Sequence, residues 1–392
     1  IVYDVFSVGN FFNRTDSDSR FVRHDSATAG TDNFIAGKNA GDSIASGSNE
    51  NTLVGNEAGT ALTTGDANVA VGFEALATED AHGNNTAVGY RALKTLNAGN
   101  TGNNVAVGSN AGLSVTTGRL SVFVGSEAGD AITSANSNVA IGFQALSADT
   151  KGDNSVAVGD QALAAQNFTS STDSYNVAIG SNAGLTVTTG VENTLIGALA
   201  GDALTDADFN IAIGKGALGA DTKGNKSVAI GVGALDAQNF TSSTDTHNIA
   251  VGHGAGGAVT TATSITAVGS GAMASLTTNG GNVAVGRDAM SSATSDSANN
   301  VAVGVDSLKN GSDIGSQNVA VGYRALEAVN NPGSGNTENV GVGYLAGGVI
   351  TTGYGNTCLG SLAGEYGGNA LTTGTFNTLL GVGAIPSANS GT

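Results

Sequence analysis

The chain has 392 residues, of which 61 are Gly, 40% are apolar and only 12% are charged. This composition excludes an ordinary disordered chain, and Gly without a three-residue period excludes a collagen-like helix. The net charge of −18 argues against nucleic acid and anionic membranes as partners, because both favour clustered Lys and Arg. The single cysteine, Cys358, excludes an intrachain disulfide. We expect no membrane insertion, since no apolar run approaches the roughly 18 residues of a membrane helix.

The N-terminal residues 1–30 do not follow the pattern of the rest of the chain. They place bulky apolar residues, Phe11, Phe12 and Phe21, among Arg and Asp residues. We predict a cap that covers the first structural repeat, because repeat proteins need capped ends. The alternative is a junction to a preceding shaft or to a neighbouring subunit.

Residues 31–385 carry one short repeat, Asn-x-Ala-(Val/Ile)-Gly-x-x-Ala, which returns about twenty times at spacings of 17 to 21 residues. Self-similarity at a fixed short period indicates stacked units that bury their faces on one another. We therefore predict an all-β parallel β-roll, a β-solenoid of about 20 rungs. At about 4.8 Å per rung it would form a rod of roughly 96 Å. Two copies define the structural residues Asn104, Val107, Gly108 and Ala111, and Asn176, Ile179, Gly180 and Ala183.

Two polar or small positions of the repeat have structural interpretations. Asn stands four residues before the repeat Gly in 16 of 20 copies, which predicts a side-chain amide ladder between rungs. Ala stands three residues after that Gly in 19 of 20 copies, with Ser307 as the exception. This demand for a small side chain predicts a tight corner that the next rung approaches closely.

The strand of each rung is apolar on both faces. We expect Val107 and Ile179 to face the core, because the residue before the repeat Gly is almost always Val, Ile or Leu. Ala106 and Ala178 would then lie on the opposite face, since neighbouring strand residues alternate. Strands that are apolar on both sides are typical of buried sheets. Other copies of the same chain are the economical cover for the second face.

Rungs of two kinds alternate in pairs along the chain. Four residues after the repeat Gly the sequence has Gly twice and then Leu twice, as at Gly112, Gly129, Leu146 and Leu163. The Gly kind is often followed by Thr-Thr-Gly, which predicts a turn with Gly at positive φ. We expect the Leu kind, such as 73–76, to form a single short helical turn.

A larger block of 72 residues separates Gly108 from Gly180 and Gly180 from Gly252. Its two copies share an octet, 166–173 and 238–245, that lengthens one rung to 21 residues and should bulge from one edge. Surface loops of repeat proteins often bind partners. The candidate binding residues are Asn167, Phe168, Asn239 and Phe240. The tail 386–392 has lost the pattern.

Aromatic residues directly after the repeat Gly have two interpretations. They could form a stripe on which sugars stack, or they could pack on the short helical turn beside them. The residues concerned are Phe73, Tyr90, Phe143, Tyr323 and Tyr344.

We find no pattern that predicts an enzyme, a catalytic residue, a cofactor or a metal site. The four histidines lie in different rungs without metal-ligand spacing. Asp residues at equivalent positions suggest calcium, but no loop has the dense Asp spacing of known calcium loops. Solvated loops are the simpler interpretation of Asp42, Asp130, Asp149, Asp153, Asp202 and Asp221.

The repeats 104–108, Asn-Val-Ala-Val-Gly, and 227–231, Ser-Val-Ala-Ile-Gly, resemble the head repeats of YadA-like trimeric autotransporter adhesins. Units with Gly-(Phe/Tyr)-x-Ala-Leu and Thr-Thr-Gly are similar to repeats in bacteriophage tail-fibre proteins. The resemblance covers roughly residues 33–385. It implies a left-handed parallel β-roll with three chains side by side on an attachment fibre. The rungs are longer than those of the adhesin heads, and no stalk, membrane anchor or fibre chaperone is visible in the sequence.

The sequence and this resemblance together suggest a rod-like trimeric segment of an extracellular adhesin or phage tail fibre. It would lie outside the cell, on a cell surface or on a virion, and bind a cell-surface glycan or protein receptor through loops or a distal tip. A self-assembling extracellular filament or sheath subunit is the alternative. An ice-binding solenoid is a third hypothesis, weakened because Thr-Thr-Gly skips rungs and should leave no continuous Thr ladder.

Overall fold

The computed structural model describes residues 22–23, 30, 32–294, 297–333, 335–365 and 370–386. These residues form a parallel β-solenoid of about twenty rungs and contain no helix, as the predicted all-β class requires. None of them therefore belongs to a helix with the length and apolarity to cross a membrane. Most of the predicted cap, and the tail beyond 386, lie outside the described residues.

Most strands contain three residues, and one such strand marks each rung. Four two-residue strands form two separate two-stranded sheets, and a fifth lies near the N-terminus. In chain order they are β1 Val22–Arg23, β2 Phe34–Ala36, β3 Thr52–Val54, β4 Val69–Val71, β5 Thr86–Val88, β6 Val105–Val107, β7 Val122–Val124, β8 Val139–Ile141, β9 Gly152–Asp153, β10 Val156–Val158, β11 Thr172–Asp173, β12 Val177–Ile179, β13 Thr194–Ile196, β14 Ile211–Ile213, β15 Gly224–Asn225, β16 Val228–Ile230, β17 Thr244–Asp245, β18 Ile249–Val251, β19 Thr266–Val268, β20 Val283–Val285, β21 Val301–Val303, β22 Val319–Val321, β23 Val340–Val342, β24 Thr357–Leu359 and β25 Thr378–Leu380.

The chain divides into two compact units, residues 1–189 and 190–392. In the first unit the rung strands from β2 to β12 pair in parallel and in register, so that Ala87 of β5 lies beside Ala106 of β6. In the second unit the strands from β13 to β25 pair in the same way. At the start of the first unit β1 runs antiparallel to β2. Because β1 runs opposite to the rung strands, the parallel stacking of rungs is interrupted there.

The expected assignment of the two strand faces is wrong. Ala106 and Ala178 are fully buried inside a single chain, whereas Val107 and Ile179 remain 38% and 40% exposed. The interior of each rung already contains a side chain from the opposite corner, such as Leu76 or Leu93, both fully buried. The strand residue that points inward must therefore be small in most rungs, and the β-branched residues lie outside.

Backbone contact between rungs explains the repeat Gly. Gly108 has φ +144°, and a Cβ placed on it would come within 2.3 Å of the carbonyl oxygen of Gly125. Gly125 stands in the same relation to Gly142. L-residues with side chains rarely adopt this backbone conformation, and the space for a side chain is filled by backbone of the next rung. Two independent constraints therefore demand Gly at this corner.

The predicted amide ladder is confirmed. The side-chain oxygen of Asn68 accepts a hydrogen bond from the backbone N–H of Asn85 at 3.0 Å, and that of Asn85 accepts one from Asn104 at 3.2 Å. The Asn104 amide donates to the carbonyl of Gly118 at 2.9 Å. These buried Asn side chains thus pair with polar groups both in the next rung and across their own rung. Without such hydrogen bonds, burying these polar groups would cost free energy.

The predicted helical turn is wrong. Glu74 and Leu76 have φ of 54° and 51°, which lies in the left-handed region and excludes a right-handed helical turn. The backbone of this corner bonds instead to the next rung, with Leu76 N–H donating to Ala92. The Gly of Thr-Thr-Gly also differs from prediction, because Gly118 is not at positive φ; its Cβ would come within 2.4 Å of the Ala135 carbonyl oxygen.

In several rungs Gly stands at the corner where the inward strand residue is large. Phe123 fills the space beside Gly129, where a Cβ would come within 2.4 Å of its ring. In the next rung Ala140 points inward and Leu146 stands at the equivalent corner, both fully buried. Leu195 is paired with Gly201 in the same manner. Where both positions are small, as with Ala106 and Gly112, the neighbouring rungs fill the space: Leu93 and Phe123 both adjoin Gly112, as close packing requires.

The small corner gives a direct test of rung packing. Ala183 is fully buried, and its carbonyl accepts a hydrogen bond from Leu163 of the preceding rung. Ala183→Leu should overpack this corner and lower the free energy of unfolding by about 1–3 kcal/mol. Ala183→Ser should be nearly silent, because Ser307 is buried at the equivalent position and donates to the Gly304 carbonyl at 2.9 Å. Denaturant titrations followed by circular dichroism compare the two variants. An unchanged midpoint for the Leu variant would show that the corner is open.

Candidate functional site

The outer sheet face, formed by the first and third residues of each three-residue strand, is the most extensive candidate surface. It offers 18 side chains from nine strands in the first unit and 22 from eleven strands in the second. All are Val, Ile, Leu, Thr, Ala or Phe, so none is charged. Ile141 in the first unit and Ile249 in the second are among the exposed members. An uncharged stripe of this length is unusual on a chain with a net charge of −18.

Aromatic side chains directly after the repeat Gly line the margin of this face. Phe73 and Tyr90 of adjacent rungs stack with ring centroids 5.6 Å apart and planes 14° apart. Tyr323 and Tyr344 of the second unit repeat the arrangement at 5.5 Å and 13°. All four are exposed, and the described part of the chain contains no helix for them to pack on. The packing interpretation based on a helical turn is therefore wrong, while sugar stacking stays a prediction.

Charged side chains hold the first aromatic pair in place. The guanidinium carbon of Arg91 lies 4.9 Å from the Tyr90 ring centroid, and Arg91 Nε donates to Glu74 Oε2 at 2.7 Å. Lys94 Nζ lies 2.7 Å from the same oxygen. The hydrogen bond from Lys94, helped by that from Arg91, lowers the pKa of Glu74, and the hydrogen bond to Glu74 raises the pKa of Arg91. These partly exposed ion pairs order the corner rather than stabilise it strongly.

The predicted binding loops are only partly exposed. Asn167 and Asn239 lie on the surface, whereas Phe168 and Phe240 are 6% and 7% exposed. Phe168 packs over Gly152, where a Cβ would come within 2.7 Å of its ring. The rings can therefore contribute little area to a partner. Binding by the polar residues of these loops stays a prediction.

Buried carboxylates explain why the loop turns inward. Asp149 Oδ1 accepts backbone N–H bonds from Gly152 at 3.0 Å and Phe168 at 3.2 Å, while Oδ2 accepts from Gln166 Nε2 at 2.7 Å. Asp221 repeats this network one block later with Gly224, Phe240 and Gln238. These Asp residues use their oxygens within the fold. The only sign of this network in the sequence was that Ala-Asp-Thr-Lys-Gly and Gln-Asn-Phe each occur in both blocks.

One group of possible metal ligands occurs in the described part of the chain, formed by Glu79, Asp80 and His82. Glu79 Oε1 accepts from the backbone N–H of His82 at 3.0 Å, and Oε2 from that of Ala98 at 3.2 Å. His82 Nδ1 lies 3.0 Å from Glu79 Oε1. Glu79 thus closes its rung as Asp149 and Asp221 close theirs, and the hydrogen bonds account for the cluster without a metal.

Threonine hydroxyls form a column that the sequence analysis missed. Thr116 donates to the carbonyl of Thr133 at 3.1 Å, and Thr133 donates to that of Thr150 at 3.0 Å. Thr-Thr-Gly does skip rungs, but the expectation of no continuous Thr column is wrong over these three rungs, because Thr133 and Thr150 are single threonines outside that motif. Their hydroxyl hydrogens are used on the backbone, so this column ties rungs together.

The chain was compared with known proteins in two ways. Neither a scan against protein-family models nor a search of curated proteins finds a match for the chain. The outer sheet face and its aromatic margin are therefore interpreted from their own chemistry, and the similarity to adhesin and tail-fibre repeats stays an expectation.

Proposed function

We propose that this chain is a segment of an extracellular attachment fibre, as part of an adhesin or of a phage tail fibre. Copies of the chain would associate side by side as a homotrimer and carry binding loops or a distal tip to a host or other surface. The uncharged outer sheet face is the observation that supports this proposal most strongly. The number three and the fibre itself come from the resemblance of the repeats.

The physical argument begins with exposure. Large contiguous apolar patches on soluble proteins mark interaction sites, and burying apolar area stabilises association by roughly 25 cal/mol per Å² before the costs of binding. A stable interface uses about 20–30 residues on each side, which is comparable to the 18 and 22 residues of the two units. Identical chains of charge −18 repel each other, so a contact between them must use a surface without charges.

The alternative is a self-assembling filament or sheath subunit joined end to end through residues 1–30. The antiparallel β1 beside β2 favours a cap over such a joint, because parallel rungs cannot continue past it. Electron micrographs of the purified chain would separate particles of fixed length from open-ended filaments.

The oligomer gives the decisive experiment. Light scattering should report about three times 38.1 kDa, near 114 kDa. Val107→Asp with Ile179→Asp should give a folded monomer, because each carboxylate would be buried without a partner at a cost of several kcal/mol in a trimer. The matched control is Leu120→Asp, which adds a charge at a residue that is 56% exposed but lies outside the outer sheet face.

A monomeric parent chain would contradict the proposal. The proposal would also be contradicted if the Val107→Asp and Ile179→Asp double variant had the mass of the parent oligomer and an unchanged circular dichroism spectrum. Ala106→Glu with Ala178→Glu would not test the interface, because both residues are fully buried within one chain and the variant would unfold it.

A further inference from the structure

We propose that the surface between Tyr90 and Phe143 binds a neutral saccharide of one or two sugar units. The site lies in the first unit, at the margin of the outer sheet face. The inference rests on the proposed attachment function, to which it adds a ligand class.

The aromatic walls of this site come from the corner position directly after the repeat Gly. Tyr90 and Phe143 occupy it three rungs apart and are 45% and 49% exposed. The two rungs between them carry Ser109 and Ser126 at the same position. Three rung steps of about 4.8 Å put the two aromatic positions roughly 14 Å apart. We call the stretch between them, with Ser109 and Ser126 as its floor, the notch.

The stack on Phe73 fixes the orientation of the first wall. Phe73 and Tyr90 lie in adjacent rungs with nearly parallel rings, so the ring faces point along the direction in which the rungs stack. The other side of Tyr90 faces the rung of Ser109, and the ring stays 45% exposed although the Arg91 guanidinium carbon lies 4.9 Å from its centroid. A ring held in this way loses little side-chain freedom when a ligand packs on it.

The floor of the notch offers polar groups that the fold does not use. The Ser109 and Ser126 hydroxyls and the Asn110 amide make no hydrogen bond within the described part of the chain. Their backbone is fixed, since Asn110 N–H donates to Tyr90 at 2.8 Å and Glu127 N–H donates to Ser109 at 2.9 Å. Glu127 Oε2 accepts from Gln144 Nε2 at 2.8 Å, which orients its carboxylate at the same edge.

These groups match the chemistry of a sugar. A pyranose has apolar C–H faces that pack on aromatic rings and hydroxyls around its edge that pair with hydroxyl, amide and carboxylate groups. A protein partner would favour an apolar floor, because the buried centre of protein interfaces is apolar. An anionic ligand would be repelled by Glu127 and by the net charge of −18.

Saturation-transfer difference NMR with lactose, maltose, cellobiose and chitobiose tests the site on the full chain. We expect at least one disaccharide to bind with millimolar affinity, with transfer strongest to its ring protons. Tyr90→Ala and Phe143→Ala should each weaken binding about tenfold. The control Tyr175→Ala removes an aromatic ring that is 54% exposed but lies outside the notch, and it should bind like the parent.

A second variant addresses the floor without touching the rings. Ser109→Val with Ser126→Val should abolish binding and leave folding intact, because Val232 and Val305 occupy the same corner position in other rungs. If none of the four disaccharides binds the parent at millimolar concentration, the proposal is wrong. It is also wrong if the folded Tyr90→Ala and Phe143→Ala double variant binds as the parent does. Light scattering measures the trimer separately, so failure of the sugar site and failure of the proposed assembly are distinguishable.

Discussion

Gly231→Ala should lower the free energy of unfolding by about 2–6 kcal/mol, although it adds a single methyl group. Gly231 has φ +133°, and a Cβ there would come within 2.4 Å of the Gly252 carbonyl oxygen and 2.6 Å of its carbon. The strained backbone costs about 1–3 kcal/mol, and overpacking costs a further 1–3 kcal/mol. The clash is between backbones of adjacent rungs, so no side-chain movement can relieve it.

Gly233→Asn is the matched control, two residues away in the same rung. Gly233 also has positive φ, +64°, but a Cβ there would meet nothing within 4 Å. Other rungs carry Asn at this position, such as Asn110 with φ 57°, and Asn tolerates the left-handed region. We expect its unfolding midpoint to equal that of the parent in guanidinium titrations. Equal midpoints for Gly231→Ala and the parent would contradict the backbone contact between rungs.

Phe123→Ala should be the most damaging core truncation, at about 3–5 kcal/mol. Phe123 is the largest fully buried side chain among the described residues, and its ring adjoins both Gly112 and Gly129. Gly129→Leu alone should also destabilise the fold, because the new side chain would overlap the ring. Together the two changes recreate the combination of Ala140 and Leu146 in the next rung, so their losses should not add.

A double-mutant cycle measures this compensation. We expect the double variant to be more stable than the sum of the single effects by about 2–3 kcal/mol. Recovery should be partial, because the space beside Gly112 stays empty. Leu62→Ala with Gly129→Leu is the control pair, since Leu62 belongs to another rung four steps away and the two losses should simply add. Additive effects in the Phe123 cycle would show that the pairing of large strand residues with Gly is a coincidence.

The rung register, the Asn ladder and the small Ala corner could be predicted because each depends on one residue type repeated at one position. Gly108, Asn104 and Ala111 are demanded by backbone approach, hydrogen bonding and space, and few other residues satisfy these demands. The orientation of the strand could not be predicted. Ala106 and Val107 are both apolar, and only the space left by Leu residues of the opposite corner decides which one points inward.

The corner conformation and the binding loops were missed for a different reason. Leu76 adopts positive φ although Leu normally avoids it, so its identity gives no sign of a left-handed turn. Phe168 belongs to an octet of mostly polar residues, but the hydrogen bond from its backbone N–H to Asp149 carries it inward. The notch between Tyr90 and Phe143 joins residues more than fifty positions apart. Its aromatic residues were noticed in the sequence, but the open Ser floor requires the stacked rungs.

Matching of core volumes between rungs also governs how such a chain can change its length during evolution. If a single rung were inserted, its corner Leu would lie next to a rung whose strand already contributes a large residue such as Phe123 or Leu195. The two side chains would compete for the same space. A block of four rungs brings back the original neighbours at both junctions. In the part of the chain from Gly108 to Gly252, duplication would therefore add or remove four rungs at a time, which is the 72-residue interval from Gly108 to Gly180 and from Gly180 to Gly252.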